Sequence, residues 1–312
     1  MPYRLRSTAG PGDVEIAYRV SAPHPPAGTG RPTLLLIHGW AQSGASWGTP
    51  LLESLARDHR VVAVDLRGHG ASGVPPRNSG PNAAAGANYS AVDFAGDIAA
   101  VIAAESSAST SAFGDPAVGS DGVVLAGWSY GGLVACDHVA DLITRADSVG
   151  SIRGIVLVGA ITSLGRGQAG GRVGSAMRAA LPDAYSADPR TAIRALGSFG
   201  SALVPADRPD LGALGQQFFG TSLATAPEAR SGLFAREASY DQLLRELPMP
   251  VLIVHGTDDQ VVDVSAARHA ESLISDVRAH YWDGAGHAPF VEDPDLFARQ
   301  VTEFVAALGV RA

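Results

Sequence analysis

The chain has 312 residues, 46% of them apolar and 17% charged, enough to bury a sizeable core in one large domain or one domain carrying an insertion. A formal net charge of −8 with no basic run argues against nucleic acid and anionic membrane surfaces as partners, and no apolar run approaches the ~20 residues of a membrane span. All 23 basic residues are arginine, which excludes chemistry that needs a lysine amine; the single Cys136 allows neither an internal disulfide nor a cysteine-held zinc, and no metal or organic cofactor is implied.

The first six residues lack the apolar core of a secretory signal, so a cytoplasmic protein is expected. Residues 3–7 and 14–21 alternate in polarity around Gly10-Pro11-Gly12-Asp13, the pattern of two antiparallel strands and a turn. A Pro- and Gly-rich connector at 23–32 leads to 33–37, apolar on both faces as in a strand buried within a parallel sheet, which ends in His38-Gly39-Trp40. A helix is predicted around 50–57. The strand 61–64 then runs into Asp65-Leu66-Arg67-Gly68-His69-Gly70-Ala71-Ser72. After a loop at 74–88, Ser90 is placed to cap a helix reaching about residue 104, with Val92, Phe94, Ile98, Val101 and Ile102 on or near one face. A polar, low-complexity loop follows at 106–121.

The stretch Val123-Val124-Leu125-Ala126-Gly127-Trp128-Ser129-Tyr130-Gly131-Gly132 reads as a buried strand, a sharp Gly-x-Ser-x-Gly turn and the start of a helix. A serine there is held in strained backbone geometry, and the flanking glycines give strand and helix room to pack. Cys136, one helical turn later, reads as packing. Another strand is predicted at 152–158, and then the alternation stops. From 161 to 247 there are only short helical runs broken by Gly and Pro, a pattern that suggests a cap laid over the sheet edge. It resumes with a strand at 251–254, a helix at 265–274, a strand at 278–282 and a closing helix at 294–308. The expectation is a core domain in two parts, 1–160 and 248–312, with a helical cap at 161–247.

A serine hydroxyl needs a base within reach, and the base needs an orienting carboxylate. Among nine histidines, His287 is the candidate, because Gly284-Ala285-Gly286 places it in a flexible loop after a strand. His38 and His69 sit in glycine turns and could instead be structural hydrogen bonders, His255 precedes a turn at a strand end, and His24, His59, His138, His269 and His280 read as solvated or packed. Two adjacent acids, Asp258 and Asp259, follow the strand at 251–254, and only one can face the base. The backbone N–H groups of Trp40 and Tyr130 are placed to stabilise an oxyanion.

Five motifs carry a resemblance: His38-Gly39-Trp40, the run from Asp65 to Ser72, Gly127-Trp128-Ser129-Tyr130-Gly131-Gly132, Gly256-Thr257-Asp258-Asp259 and Gly284-Ala285-Gly286-His287. In this order they resemble the α/β-hydrolase superfamily over nearly the whole chain outside the cap. With Ala41-Gln42-Ser43 and Trp47, the first motif looks most like the cofactor-free haloperoxidase, esterase and perhydrolase group. The resemblance implies a mostly parallel eight-stranded sheet covered by helices on both faces, with the cap inserted after the sixth strand. It also implies Ser129 as nucleophile, Asp259 rather than Asp258 as acid from the Gly-x-x-Asp pattern, and His287 as base. Serine at position 129 disfavours the dehalogenases and epoxide hydrolases of the superfamily, and Ala288-Pro289-Phe290 replaces the Trp that its carbon–carbon hydrolases usually carry after the base.

The segment 161–247 carries nine arginines against eight acids, so it has no strong charge preference. Trp40, Trp128, Phe199, Phe218 and Phe219, with Phe234, are candidates for an apolar substrate pocket, although the phenylalanines equally suit the core of the cap. The expected partner is a small neutral, moderately apolar ester or lactone; carbon–carbon hydrolysis, acyl transfer and a ligand sensor on the same scaffold stand as alternatives. The sequence sets no oligomeric state.

Overall fold

The structure is a computed structural model that describes residues 3–21, 31–76, 86–107, 121–186 and 188–309. Most of the connector expected at 23–32, most of the loops at 74–88 and 106–121, and His24 lie outside the described residues.

Eight strands form one sheet. β1 (Arg4–Ala9) and β2 (Glu15–Val20) are joined by a 3-10 turn at Pro11–Asp13, and β3 (Thr33–Ile37), β4 (Val61–Val64), β5 (Val123–Trp128) and β6 (Ile152–Val158) follow. Two short strands, β7 (Ser163–Leu164) and β8 (Ala238–Ser239), stand apart, and β9 (Val251–Gly256) and β10 (Val277–Trp282) complete the main sheet. Its order is β1-β2-β4-β3-β5-β6-β9-β10. The β1/β2 and β2/β4 pairs are antiparallel and all the others parallel. Every residue of β3, β4, β5 and β9 is buried, which is why these strands are apolar without alternation. The edge strands β1 and β10 are half exposed and mix charge with apolar residues.

The helices are α1 (Thr49–Leu55), α2 (Ala91–Ser107), α3 (Tyr130–Thr144), α4 (Ser175–Ala180), α5 (Pro189–Ser201), α6 (Gly212–Ala224), α7 (Pro227–Gly232), α8 (Asp241–Glu246), α9 (Val264–Leu273), α10 (Pro289–Glu292) and α11 (Pro294–Leu308). Successive strand residues face opposite sides of a sheet. On β6, Gly154 meets Phe304 of α11 while Leu157 meets Gly132 of α3, so these two helices cover opposite faces. Alpha-helix α2 begins with a reciprocal cap: Ser90 N–H and Oγ–H donate to Asp93 Oδ2 at 2.9 and 2.6 Å, and Asp93 N–H donates back to Ser90 Oγ at 3.3 Å. Phe94, Ile98 and Val101 are buried along it, but Val92 is 69% exposed. Two residues advance a helix by roughly 200°, so Val92 lies across the helix from Phe94 and is not part of the apolar stripe.

Between β6 and β9 the chain forms α4 to α8, as the short helical runs predict, and also the β7/β8 ribbon, which they do not. Ser163 pairs with Ser239 and Leu164 with Ala238, so the ribbon joins the chain where it leaves the sheet to the chain where it returns. Two-residue strands are too short for a polarity pattern to reveal. The return segment is also fastened to α3. Arg236 Nη2 donates to both oxygens of Asp137 at 3.0 and 2.8 Å, Tyr240 OH donates to the same carboxylate, and the guanidinium lies over the rings of Phe94 and Tyr130. Among the described residues no helix is long and apolar enough to cross a membrane.

Candidate active site

The parallel strands end at one level. Ile37 lies beside Gly127, Trp128 beside Val158, and Val158 beside Val254. The segments that follow β3, β5, β6, β9 and β10 therefore leave the same rim of the sheet, where open α/β sheets place their sites.

Ser129 sits in the turn from β5 to α3 with φ 56° and ψ −121°, a conformation that non-glycine residues rarely adopt. The strain is held from both sides: its N–H donates to Val158 O at 2.9 Å, and its carbonyl accepts from Gly132 N–H at 3.0 Å and Ile161 N–H at 3.2 Å. The turn also needs its glycines. A methyl group on Gly131 would collide with the carbonyl of Ile37, and one on Gly127 with the backbone of Gly131.

His287 and Asp259 come from loops 28 residues apart and meet with Nδ1 2.7 Å from Oδ2, both side chains buried. Asp259 Oδ1 accepts from the N–H groups of Val261 and Val262 at 2.8 and 2.9 Å, which fixes the carboxylate within its own turn. Burial alone would raise the Asp259 pKa, but His287 and His255 hold it well below the usual carboxylate range, so it is ionised. Asp258 is exposed to solvent. The anion engages Nδ1 of His287, which leaves Nε2 outside that pair. Ser129 and His287 are not hydrogen-bonded in this structure. The loop of His287 is held by the residue before the serine, since Trp128 Nε1–H donates to His287 O at 2.9 Å and the two rings lie 5.5 Å apart.

Gly39 abuts the serine so closely that an added Cβ would lie 2.8 Å from Ser129 Cβ and 3.3 Å from Oγ. The next N–H, that of Trp40, and the N–H of Tyr130 at the start of α3 have no hydrogen-bond partner among the described residues. His38 shapes the loop between them. Its Nδ1–H donates to Gly39 O at 2.7 Å and its Nε2 accepts from Leu66 N–H at 2.9 Å, while burial lowers its pKa to about 4 and keeps it neutral. His69 is likewise buried, pushed down to about 3, and bonded to Arg67 O. His59 and His138 are packed, and His269 pairs with Asp241.

Rings from the segment between β6 and β9 pack against Trp40 and Trp128. Phe199 and Phe234 meet the Trp40 indole edge-on at 4.9 and 5.6 Å between centroids, and Phe218 lies 5.8 Å from Trp128. Phe219 takes a different place, against Gly197 and Gly200 of α5, where it packs one inserted helix on another. Gln42 ties the same segment down by donating to Phe218 O and Ser222 Oγ at 3.2 and 2.9 Å, and Trp40 Nε1–H donates to Arg230 O at 2.9 Å. Two residues near the site were not singled out by sequence. Gln42 sits within a motif but has no reactive group, and His255, whose Nε2 lies 3.2 Å from Asp259 Oδ2, precedes a turn as many histidines do.

A mostly parallel sheet with a strained serine at the end of its fifth strand and a buried carboxylate–imidazole pair on the same rim defines an α/β hydrolase. The chain belongs to the alpha/beta hydrolase family, whose model matches residues 34–300. It is similar to the esterase RhEst1 from Rhodococcus sp. ECU1013, with 47% identity, 97% of this chain and 99% of that one covered, and a TM-score of 0.82. It is also 26% identical over 282 residues to the pimeloyl-[acyl-carrier protein] methyl ester esterase of Vibrio atlanticus, covering 88% of this chain and 94% of the relative. The non-heme haloperoxidase of Rhodococcus erythropolis is 27% identical over 295 residues, covering 89% and 93%.

Proposed function

We propose that this esterase-type hydrolase cleaves a neutral, moderately apolar carboxylic ester or lactone through an acyl-enzyme on Ser129. The observation that carries the reading is the 2.7 Å contact between His287 Nδ1 and the buried, ionised Asp259, on the rim that also presents Ser129. Ser129 Oγ attacks the carbonyl carbon as Nε2 of His287 takes its proton, and Asp259 holds the ring in the required tautomer. The oxyanion is received by the N–H groups of Trp40 and Tyr130, each such donor being worth about 3 kcal/mol of transition-state stabilisation. His287 then protonates the leaving alkoxide, and water attacks the acyl-enzyme with His287 again as base.

In this reading residues 161–247 form a cap over the site, and Trp40, Trp128, Phe199 and Phe218, with Phe234, form the substrate pocket. Five aromatic rings with no charged side chain among them suit an uncharged acyl or alcohol group. The names of the relatives support ester chemistry. Steady-state kinetics on a graded panel of neutral esters, lactones, amides and anionic esters, with and without added alcohol or amine, tests it. Turnover should favour the neutral esters or lactones and release free acid. A preference for anionic esters, or acyl transfer outrunning acid release, contradicts it.

A further inference from the structure

The carboxylate of Asp259 takes two imidazoles on one oxygen. His287 Nδ1 lies 2.7 Å from Oδ2 and His255 Nε2 lies 3.2 Å from the same atom. The His255 nitrogen also lies 3.0 Å from Val262 O, and since both neighbours are acceptors, Nε2 must carry a hydrogen. His255 is 0% exposed, at the end of β9, and its Nδ1 is buried with no partner among the described residues. A buried polar atom without a partner is destabilising, a cost that leucine or isoleucine in the same strand would not carry. An imidazole that is only packing is therefore a poor choice here, and what distinguishes it from an apolar residue is Nε2, which donates to Val262 O and lies 3.2 Å from Asp259 Oδ2.

We propose that His255 is a positioning residue for the triad, fixing Asp259 Oδ2 where His287 Nδ1 meets it. Two main-chain donors hold Oδ1, and the freedom left to the carboxylate is a swing of Oδ2 about that anchor. His255 Nε2, 3.2 Å from Oδ2, limits this swing, and the acceptor of its hydrogen bond, Val262 O, belongs to a residue whose own N–H holds Oδ1. The 259–262 turn is thus braced at both ends by one ring. This inference rests on the triad reading above and acts through Asp259, since His255 makes no hydrogen bond or ring contact with Ser129 or His287 among the described residues.

The test compares His255→Leu with His255→Gln, whose side-chain amide can place an N–H near the position of Nε2. His255→Leu should lower kcat about 10- to 100-fold, as small misplacements away from the chemistry do, with KM nearly unchanged, and His255→Gln should recover most of the loss. In an Asp259→Asn background, His255→Leu should add no further loss. His255→Asn, with an amide too short to reach, replaces the leucine variant if that protein does not fold. Wild-type kcat in His255→Leu, or equal losses in folded Leu and Gln variants, overturns the proposal, as does an undiminished effect of His255→Leu in the Asp259→Asn background. Ser129→Ala is the control that separates the two failures: if it stays active the triad reading falls, whereas an inactive Ser129→Ala beside fully active His255 variants sinks only the role of His255.

Discussion

Trp128 Nε1 donates to the carbonyl of His287 at 2.9 Å, so the residue before the proposed nucleophile holds the loop of the proposed base. Two side chains 158 positions apart in sequence, those of Ser129 and His287, are thereby referred to one indole. Trp128→Phe keeps a ring beside Phe290 and Phe218 but leaves His287 O without its donor, a buried loss of about 1–3 kcal/mol. It should lower the urea midpoint of unfolding and reduce kcat more than KM changes. Wild-type values of both would show that the loop is held by other contacts.

Asp259 and Asp258 are adjacent, but only Asp259 is buried and bonded to His287. Replacing a triad aspartate by asparagine removes the tautomer control and can cost about 10⁴-fold in kcat. Asp259→Asn should therefore lose several orders of magnitude in steady-state ester hydrolysis while Asp258→Asn stays near wild type. The reverse ranking would move the acid by one residue.

The Asp137–Arg236 pair fastens the returning inserted segment to α3, and breaking it from one side leaves a charge with little water access. Asp137→Asn should cost roughly 3 kcal/mol of stability, whereas the double replacement Asp137→Leu with Arg236→Met should cost less than the two single changes together. Burial pushes the Asp137 carboxyl up to about 6, against the pull of Arg236 and Tyr240. The folded protein then binds this proton below about pH 6 while an unfolded aspartate releases it near ~3.9, so the contribution of this group to stability falls as pH rises through that window. Thermal melts from pH 4 to 7 should show that slope in the wild type relative to Asp137→Asn, and identical slopes would contradict it.

Gly131 and Gly39 are both tight, but with different consequences. Alanine at 131 meets the Ile37 carbonyl inside the sheet, where nothing can yield, and should abolish soluble protein or lower Tm sharply. Alanine at 39 meets Ser129 itself and shifts the loop that carries the Trp40 N–H, so it should fold and lose kcat. An active, stable Gly131→Ala would show that β3 and α3 pack less closely than described.

The parallel strands were legible because burial on both faces removes polar residues from them, as in β3 and β5, and their boundaries fall within about two residues of those expected. The serine turn was legible because its steric demand is met by glycine alone. Asp259 was chosen over Asp258 by the resemblance rather than by its chemistry; the turn that buries one acid and exposes the other is a matter of backbone hydrogen bonds to Val261 and Val262. His255 left no sequence signal, because its partner lies on the far side of a turn. The β7/β8 ribbon and the placement of Phe219 were equally hidden, one being too short for periodicity and the other set by how α5 meets α6.

Active-site labelling with a fluorophosphonate followed by peptide mass spectrometry asks whether Ser129 becomes covalently acylated with His287 as its base. One adduct per chain is expected, on the peptide containing Ser129, formed far more slowly in His287→Ala and absent from Ser129→Ala, which should also lack ester turnover. An adduct on another residue, or a Ser129→Ala protein that hydrolyses esters at the wild-type rate, would contradict it.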